Sequence, residues 1–412
     1  MKASRALALA LVFSVVGVVS SFGVEAPPVL ILISLDGFRW DYLDLVETPN
    51  LNRLAVEGVR ARGLIPVYPS KTFPSHYSIV TGLYPGQHGI VSNNMVDPKI
   101  DAEFHLHDRD AVQDGRWWGG EPIWVTAEKQ GLISACLFWP GSEAEIAGVR
   151  PTYWEPYDGN KSYPMRVQQV LGWLDLPEAE RPRMMTLYFQ DPNDTSHVYG
   201  PEAPETFASI RTVDARIGDL VGGIEERGLS DRVNLIVVSD HGMAEVSPER
   251  IVYIDDYVSL LEGELFEGGA ILQIYPQRGR KKRILKALRG ADPRLAVYSS
   301  KEIPEGYHLR GNPRTPPILG VPDVGWEVTV RGSEREQALE SGLLIGDHGQ
   351  NPLDLRMHGV FVAYGPAFRS GLVIDRFENV EIYNLMARVL DVDPAPNDGD
   401  LDILQAILAL DP

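Results

Sequence analysis

Cysteine is almost missing: there is one, Cys136, in 412 residues. An internal disulfide is therefore excluded, and a lone cysteine between apolar neighbours reads as a small buried residue. Basic residues are in deficit, with 38 Lys and Arg against 57 Asp and Glu and a formal net charge of −19. A chain of this balance is not expected to bind nucleic acid through a basic face. Beyond the first two dozen residues no apolar run is long enough to span a bilayer. Internal repeats and low-complexity tracts are also lacking. Hydrophobic residues at 44% and charged residues at 23% fit an ordinary globular protein, not a fibrous or disordered one.

The single long apolar run opens the chain. Lys2 and Arg5 precede Ala6 to Val19, and the small residues Ser20, Ser21 and Gly23 follow. This is the pattern of a secretory signal peptide over residues 1–23, with an uncleaved anchor as the alternative, and it predicts a secreted or periplasmic protein. Cleavage would remove two positive charges and no acid, taking −19 to −21. So acidic a protein can act on phosphate esters only by gathering positive charge locally, and bound metal ions do that efficiently.

Val29–Leu35 is a continuous apolar run between Pro28 and Asp36-Gly37, and similar runs recur at 184–189, 233–239 and 359–364. Continuous rather than alternating hydrophobicity predicts strands covered on both faces. Residues 204–227 between them carry apolar positions at helical spacing. The class expected is α/β, a mostly parallel central sheet flanked by helices. Residues 247–346 differ in character, with a basic helix candidate between Arg278 and Arg289 and a Pro-rich loop near 313–322. They read as a cap subdomain inserted between two parts of a catalytic domain, 24–246 and 347–412. The basic helix reads as a solvated face.

The strand-like runs end beside acids and histidines, and ligands of open α/β sheets gather at strand carboxyl ends. Asp36 closes the first run and Asp240-His241-Gly242 the third. Adjacent carboxylate and imidazole can both ligate zinc where the backbone turns sharply. Thr72 stands just before Phe73-Pro74, where a helix can begin with proline in its first turn. A hydroxyl there meets unpaired amides and a positive dipole end, which favour a phosphate or an alkoxide; an ordinary N-cap is the plainer alternative. Unassisted threonine is a poor nucleophile, and a metal ion would activate it.

LISLDGFRWDYL, YPSKTFPSHYSIVTGLYPGQHGIVSNNMVDP, EPIWVTAEKQG, FWPGSE, VVSDHGM and MHGVFVAYGPAF follow one another between Leu32 and Phe368. In content and order they resemble the motifs of the nucleotide pyrophosphatase/phosphodiesterases, members of the alkaline phosphatase superfamily. The resemblance implies an alkaline phosphatase-like fold and two Zn²⁺ ions. Asp36, Thr72, Asp240 and His241 would hold one zinc, with Thr72 the nucleophile, and His197 and His358 would be ligands of the other. Asn93 would bind a non-bridging phosphoryl oxygen, and Phe73 and Tyr157 would flank the leaving group or nucleobase. Asn93 and Thr72 are thus the expected catalytic pair. Core packing is the alternative for either aromatic.

The implied reaction is hydrolysis of nucleotide phosphodiester or pyrophosphate bonds to nucleoside 5′-monophosphates through a threonyl-phosphate. The partner expected is a nucleotide or another small phosphodiester, acted on by a monomer with no transmembrane span in its mature form. Rival readings on the same scaffold are a phospholipid head-group phosphodiesterase and a phosphomonoesterase. A metal-deficient, weakly active binding protein is the rival from another class. That last reading arises from one departure. The family carries an acid four residues before the histidine at 197, and this chain has Asn193. Asn193, Asp194 and Asp191 remain open as the group completing that zinc site. His76 and His88 receive no role, His105 and His107 read as solvated loop residues, and the Asp347-His348 pair reads as a decoy.

Overall fold

The computed structural model describes residues 28–409, so the signal segment at 1–23 lies outside the described residues. Eight strands form the main sheet: β1 Val29–Leu35, β2 Val59–Ala61, β3 Ser134–Leu137, β4 Tyr153–Glu155, β5 Met184–Phe189, β6 Val233–Val238, β7 Phe361–Tyr364 and β8 Leu372–Ile374. Their spatial order is β8-β2-β7-β6-β1-β5-β3-β4. Only β7 runs against its neighbours; β4, β3, β5, β1 and β6 are mutually parallel. The α/β class and the mostly parallel sheet follow the sequence expectation.

Why the runs are continuous is visible in their side chains. Leu30 and Leu32 of β1, with Ile236 and Val238 of β6, enter one hydrophobic cluster. Ile31, Ile33, Leu235 and Val237 enter another on the opposite face. Alternate residues of a strand face opposite sides, so a strand covered on both sides must be apolar at every position. The helix Thr72–Thr81 contributes to the first cluster and the helix Pro204–Glu226 to the second. Cys136 is wholly buried on β3. No helix among the described residues is long and apolar enough to cross a membrane.

Between β6 and β7 lies a four-stranded antiparallel sheet, in the order Gly263–Glu267, Leu272–Pro276, Ile318–Pro322, Leu295–Ser299. It shares a third apolar cluster with the helix Lys281–Leu288, which buries Ile284, Leu285 and Leu288 and leaves Lys282, Arg283 and Lys286 exposed. Arg314 fastens this segment to the rest. Its guanidinium lies 4.8 Å from the Trp117 ring centroid, pairs with Asp97 at 2.6 Å, and donates to the carbonyls of Gly89 and Arg116. A buried guanidinium held by so many acceptors is costly to displace.

Candidate active site

The parallel strands deliver their carboxyl ends to one rim. Asp36 follows β1, Phe138 and Trp139 follow β3, Tyr157 follows β4, Tyr188 and Gln190 lie at the end of β5, and Asp240-His241 follow β6. Because β7 is antiparallel, the segment leading into it, which carries His358, enters the sheet from the same end. The rim opens into a cavity of about 610 Å³ lined by Asp36, Thr72, Phe73, Asn93, Tyr157 and His197, among others. That volume suits a nucleotide-sized ligand.

His241 is the hub of the first cluster. Its Nε2 lies 2.9 Å from Asp240 Oδ2, 3.4 Å from Asp36 Oδ1 and 3.4 Å from Thr72 Oγ1. Its Nδ1 is 2.8 Å from the Gly242 carbonyl, which can only accept, so Nδ1 carries a proton. A neutral ring would then aim a lone pair at two carboxylates, an arrangement that calls for a cation or a second proton between them. Asp36 Oδ1 is buried without a hydrogen-bond partner, while Asp36 Oδ2 accepts from the Tyr188 hydroxyl at 2.7 Å. Burial, reinforced by the negative charge of Asp240, pushes the Asp36 carboxyl up to about 8. Burial would raise Asp240 too, but His241 and His76 outweigh it and hold Asp240 well below the usual range. Two buried carboxyl groups, each with an oxygen lacking a hydrogen-bond partner, fit a divalent cation, and Asp36, Asp240 and His241 form one candidate metal group.

Thr72 is the first residue of its helix, with Lys71 as the cap residue. Its hydroxyl faces the His241 cluster. The Phe73 amide donates to Asn93 Oδ1 at 2.9 Å, which turns the Asn93 amide nitrogen into the only donor end of that side chain left for a ligand. Phe73 lies edge-on to Phe104, and Tyr157 edge-on to Phe138. Both also line the cavity, so each combines packing with exposure to a ligand.

The second candidate group differs from the sequence expectation. It contains His197, Asp347 and His348. The pair read as a decoy is thus brought to the site, and His358 is not. His197 Nδ1 donates to the Gly346 carbonyl at 2.7 Å and His348 Nδ1 to the Ser70 carbonyl at 2.9 Å, freeing each Nε2 as a ligand atom. This outer-shell anchoring is usual for metal-binding histidine. Burial lowers both rings, so both are neutral and able to ligate. His358 has no hydrogen-bond partner at either ring nitrogen, does not line the cavity, and packs beside Gly63. The signal that could have found His348 was the second Asp-His-Gly tripeptide at 347–349.

Asn193 lies against the Asp36-Gly37 turn. Its amide donates to the Asp36 carbonyl at 2.9 Å, and Gly37, at φ 69°, leaves room that a Cβ would fill 3.0 Å from Asn193. Asn193 Oδ1 is buried and unpaired. Asp191 is engaged elsewhere, accepting from the hydroxyls of Tyr163 and Thr195 at 2.7 and 2.6 Å. Asp194 lines the cavity and accepts weakly from Asn193 Nδ2 at 3.3 Å.

Several further residues carry no signal in the sequence. Lys71 and Arg335 line the cavity, each paired with Asp347, and Arg335 also binds Glu327. Glu267 accepts from Ser92, next to Asn93, at 2.9 Å. His107, read as a solvated loop residue, lines the cavity with Arg109 and Glu143.

The comparisons agree with this geometry. The sequence pattern of the family "Type I phosphodiesterase / nucleotide pyrophosphatase" matches residues 30–360. Human ectonucleotide pyrophosphatase/phosphodiesterase family member 1 is 38% identical over 397 residues, covering 94% of this chain and 42% of its own length. A venom phosphodiesterase of Naja atra is 38% identical over 395 residues, 92% of this chain and 46% of its own. The chain thus spans less than half the length of these curated relatives. Murine ectonucleotide pyrophosphatase/phosphodiesterase 5, solved as an inactive T72A variant in complex with AMP, superposes with a TM-score of 0.88 at 34% identity. That match covers 93% of this chain and 100% of the solved one. The chain belongs to the type I phosphodiesterase / nucleotide pyrophosphatase family.

Proposed function

We propose that this protein hydrolyses nucleotide phosphodiester or pyrophosphate bonds to nucleoside 5′-monophosphates, with two Zn²⁺ ions and Thr72 as nucleophile. The observation that carries the reading is Thr72 Oγ1, at the helix start and 3.4 Å from His241 Nε2 beside Asp36 and Asp240. Asp36, Asp240, His241 and Thr72 would hold one ion. His197 and His348 would hold the other, with an oxygen from Asn193 or Asp347. When bound, the ions lower the pKa of the threonine hydroxyl and offset charge on the phosphoryl oxygens.

The chain's own residues do the rest. Thr72 Oγ1 forms a bond to phosphorus as the bond to the leaving oxygen breaks, giving a threonyl-phosphate ester and an alcohol or phosphate leaving group. Water then cleaves that ester, restoring the hydroxyl and releasing the monophosphate. Asn93 Nδ2 donates to a non-bridging oxygen, and Phe73 and Tyr157 flank the nucleoside. The AMP complex of the murine relative supports a 5′-monophosphate product. Residues 247–346 act as a cap, and the apolar first segment supports a secreted or periplasmic location.

The cavity favours a diester over a monoester. A dianionic monoester would need a basic clamp, yet Lys71 and Arg335 are already matched by Asp347 and Glu327. The purified protein should cleave nucleoside 5′-nitrophenyl phosphodiesters faster than nitrophenyl phosphate, and a chelator should abolish both. Faster hydrolysis of the monoester under matched conditions would overturn the assignment.

A further inference from the structure

His76 is wholly buried one helical turn after Thr72, and it does not line the cavity. Its ring is fixed on every side. Nε2 lies 2.7 Å from Ser34 Oγ, on the strand that ends at Asp36. The faces and edges meet Trp139 at 5.0 Å and Tyr188 at 5.5 Å, both near-perpendicular, and Trp139 Nε1 donates to the His76 carbonyl at 3.1 Å. Nδ1 lies 2.8 Å from the Thr72 carbonyl oxygen and 3.2 Å from Asp240 Oδ2. A carbonyl only accepts, so Nδ1 bears the proton. The contact to Thr72 is a hydrogen bond, and the same Nδ1–H lies within ion-pair range of the Asp240 carboxylate.

We propose that His76 is a positioning residue whose Nδ1–H ties the backbone of the nucleophile Thr72 to the carboxylate of Asp240. The two groups come from segments 168 residues apart, and both contact His76 and His241. Thr72 Oγ1 and Asp240 Oδ2 must converge on one position for the hydroxyl to be activated and aligned, and a misplacement of about 1 Å can cost about a hundredfold in rate. His76 sets that distance from behind, where no substrate reaches. The inference rests on the reading that Thr72 attacks and Asp240 ligates. It differs from that reading in its readouts, two of which need no turnover.

Asparagine places an amide nitrogen near the position of imidazole Nδ1, whereas glutamine places one near Nε2. His76→Gln should therefore lower zinc affinity of metal-stripped protein about 10- to 100-fold in a chelator competition. It should lower kcat by a similar factor and leave KM within about threefold, since Phe73 and Tyr157 are untouched. His76→Asn should recover most of both losses. Nitrogen NMR of the wild-type histidines should show the proton on Nδ1 of His76, a measurement that does not depend on any variant folding. Equal impairment of the Asn and Gln variants would reduce His76 to packing. Wild-type zinc affinity in His76→Gln, or an unprotonated Nδ1, would equally overturn the proposal. Full activity of Thr72→Ala would instead sink the underlying mechanism and leave the zinc and NMR results to judge His76 alone.

Discussion

The rings of His241 and His348 lie face to face, with centroids 3.4 Å apart and planes 16° from parallel. Each belongs to an Asp-His-Gly tripeptide, and each is oriented by a different carbonyl, Gly242 for one and Ser70 for the other. The stack brings the two candidate metal groups side by side, and it places His348 in the candidate group of His197.

That exchange can be tested directly. Loss of an outer-shell partner costs about 10- to 100-fold in metal affinity, and loss of a ligand costs more. His348→Ala should therefore weaken one of two metal sites by more than about 100-fold and remove most turnover. His358→Ala should leave metal stoichiometry, measured by elemental analysis after dialysis, unchanged. Loss of a metal ion from the His358 variant alone would restore the reading that the motif order suggests.

Thr72→Ala should reduce turnover of a nitrophenyl phosphodiester by roughly a thousandfold or more, because it removes the cavity-lining hydroxyl that lies 3.4 Å from His241 Nε2. Zinc content should fall only modestly, since Asp36, Asp240 and His241 persist. Activity near that of the parent would mean that water, rather than Thr72, attacks phosphorus.

The second group can be dissected by two substitutions. Asn193 Oδ1 is buried and unpaired, whereas the Asp347 carboxylate is held by Lys71, Arg335 and the His348 amide. Asn193→Asp should add a carboxylate where an unpaired oxygen already sits, tightening zinc by about tenfold or more and raising activity at limiting metal. Asp347→Asn should affect zinc less and chiefly disturb Lys71 and Arg335. If Asp347→Asn loses the metal while Asn193→Asp changes nothing, Asp347 is the ligand.

A pH effect follows from a residue outside the site. His88 is buried, accepts the Ile90 amide at Nδ1 and donates from Nε2 to Ser78 Oγ, and burial drops it to about 3. Its folded value lies below the unfolded value near 6.5, so only the unfolded chain takes up a proton between them. The stability it contributes is complete above about 6.5 and lost as pH falls toward 3, about 2 to 3 kcal/mol by about pH 4.5. His88→Gln should flatten the fall of Tm between about pH 7 and 4.5. Parallel slopes for parent and variant would dismiss His88 as a source of acid lability.

Much of this was legible in the chain itself. The runs at 29–35, 184–189 and 233–238 are strands because burial on both faces demands unbroken hydrophobicity, and that pattern survives in one dimension. The Thr72 segment was legible because its chemistry is local. His358, expected beside His197, stands apart from the candidate group of His197, Asp347 and His348: its ring lies beside Gly63, and side-chain direction is not written in spacing. His76, Tyr188 and the Lys71–Asp347–Arg335 pairs were illegible because their partners lie far along the chain, and no periodicity marks such long-range contacts.

The insertion between β6 and β7 also imposes an order in time. Synthesis yields Asp36 first, then Thr72, His197 and the Asp240-His241 pair, and only after the whole inserted sheet does it yield Asp347 and His348. The candidate ligands Asp36, Asp240 and His241 all precede the insert, whereas the group of His197, Asp347 and His348 is incomplete in the chain until the insert has been made.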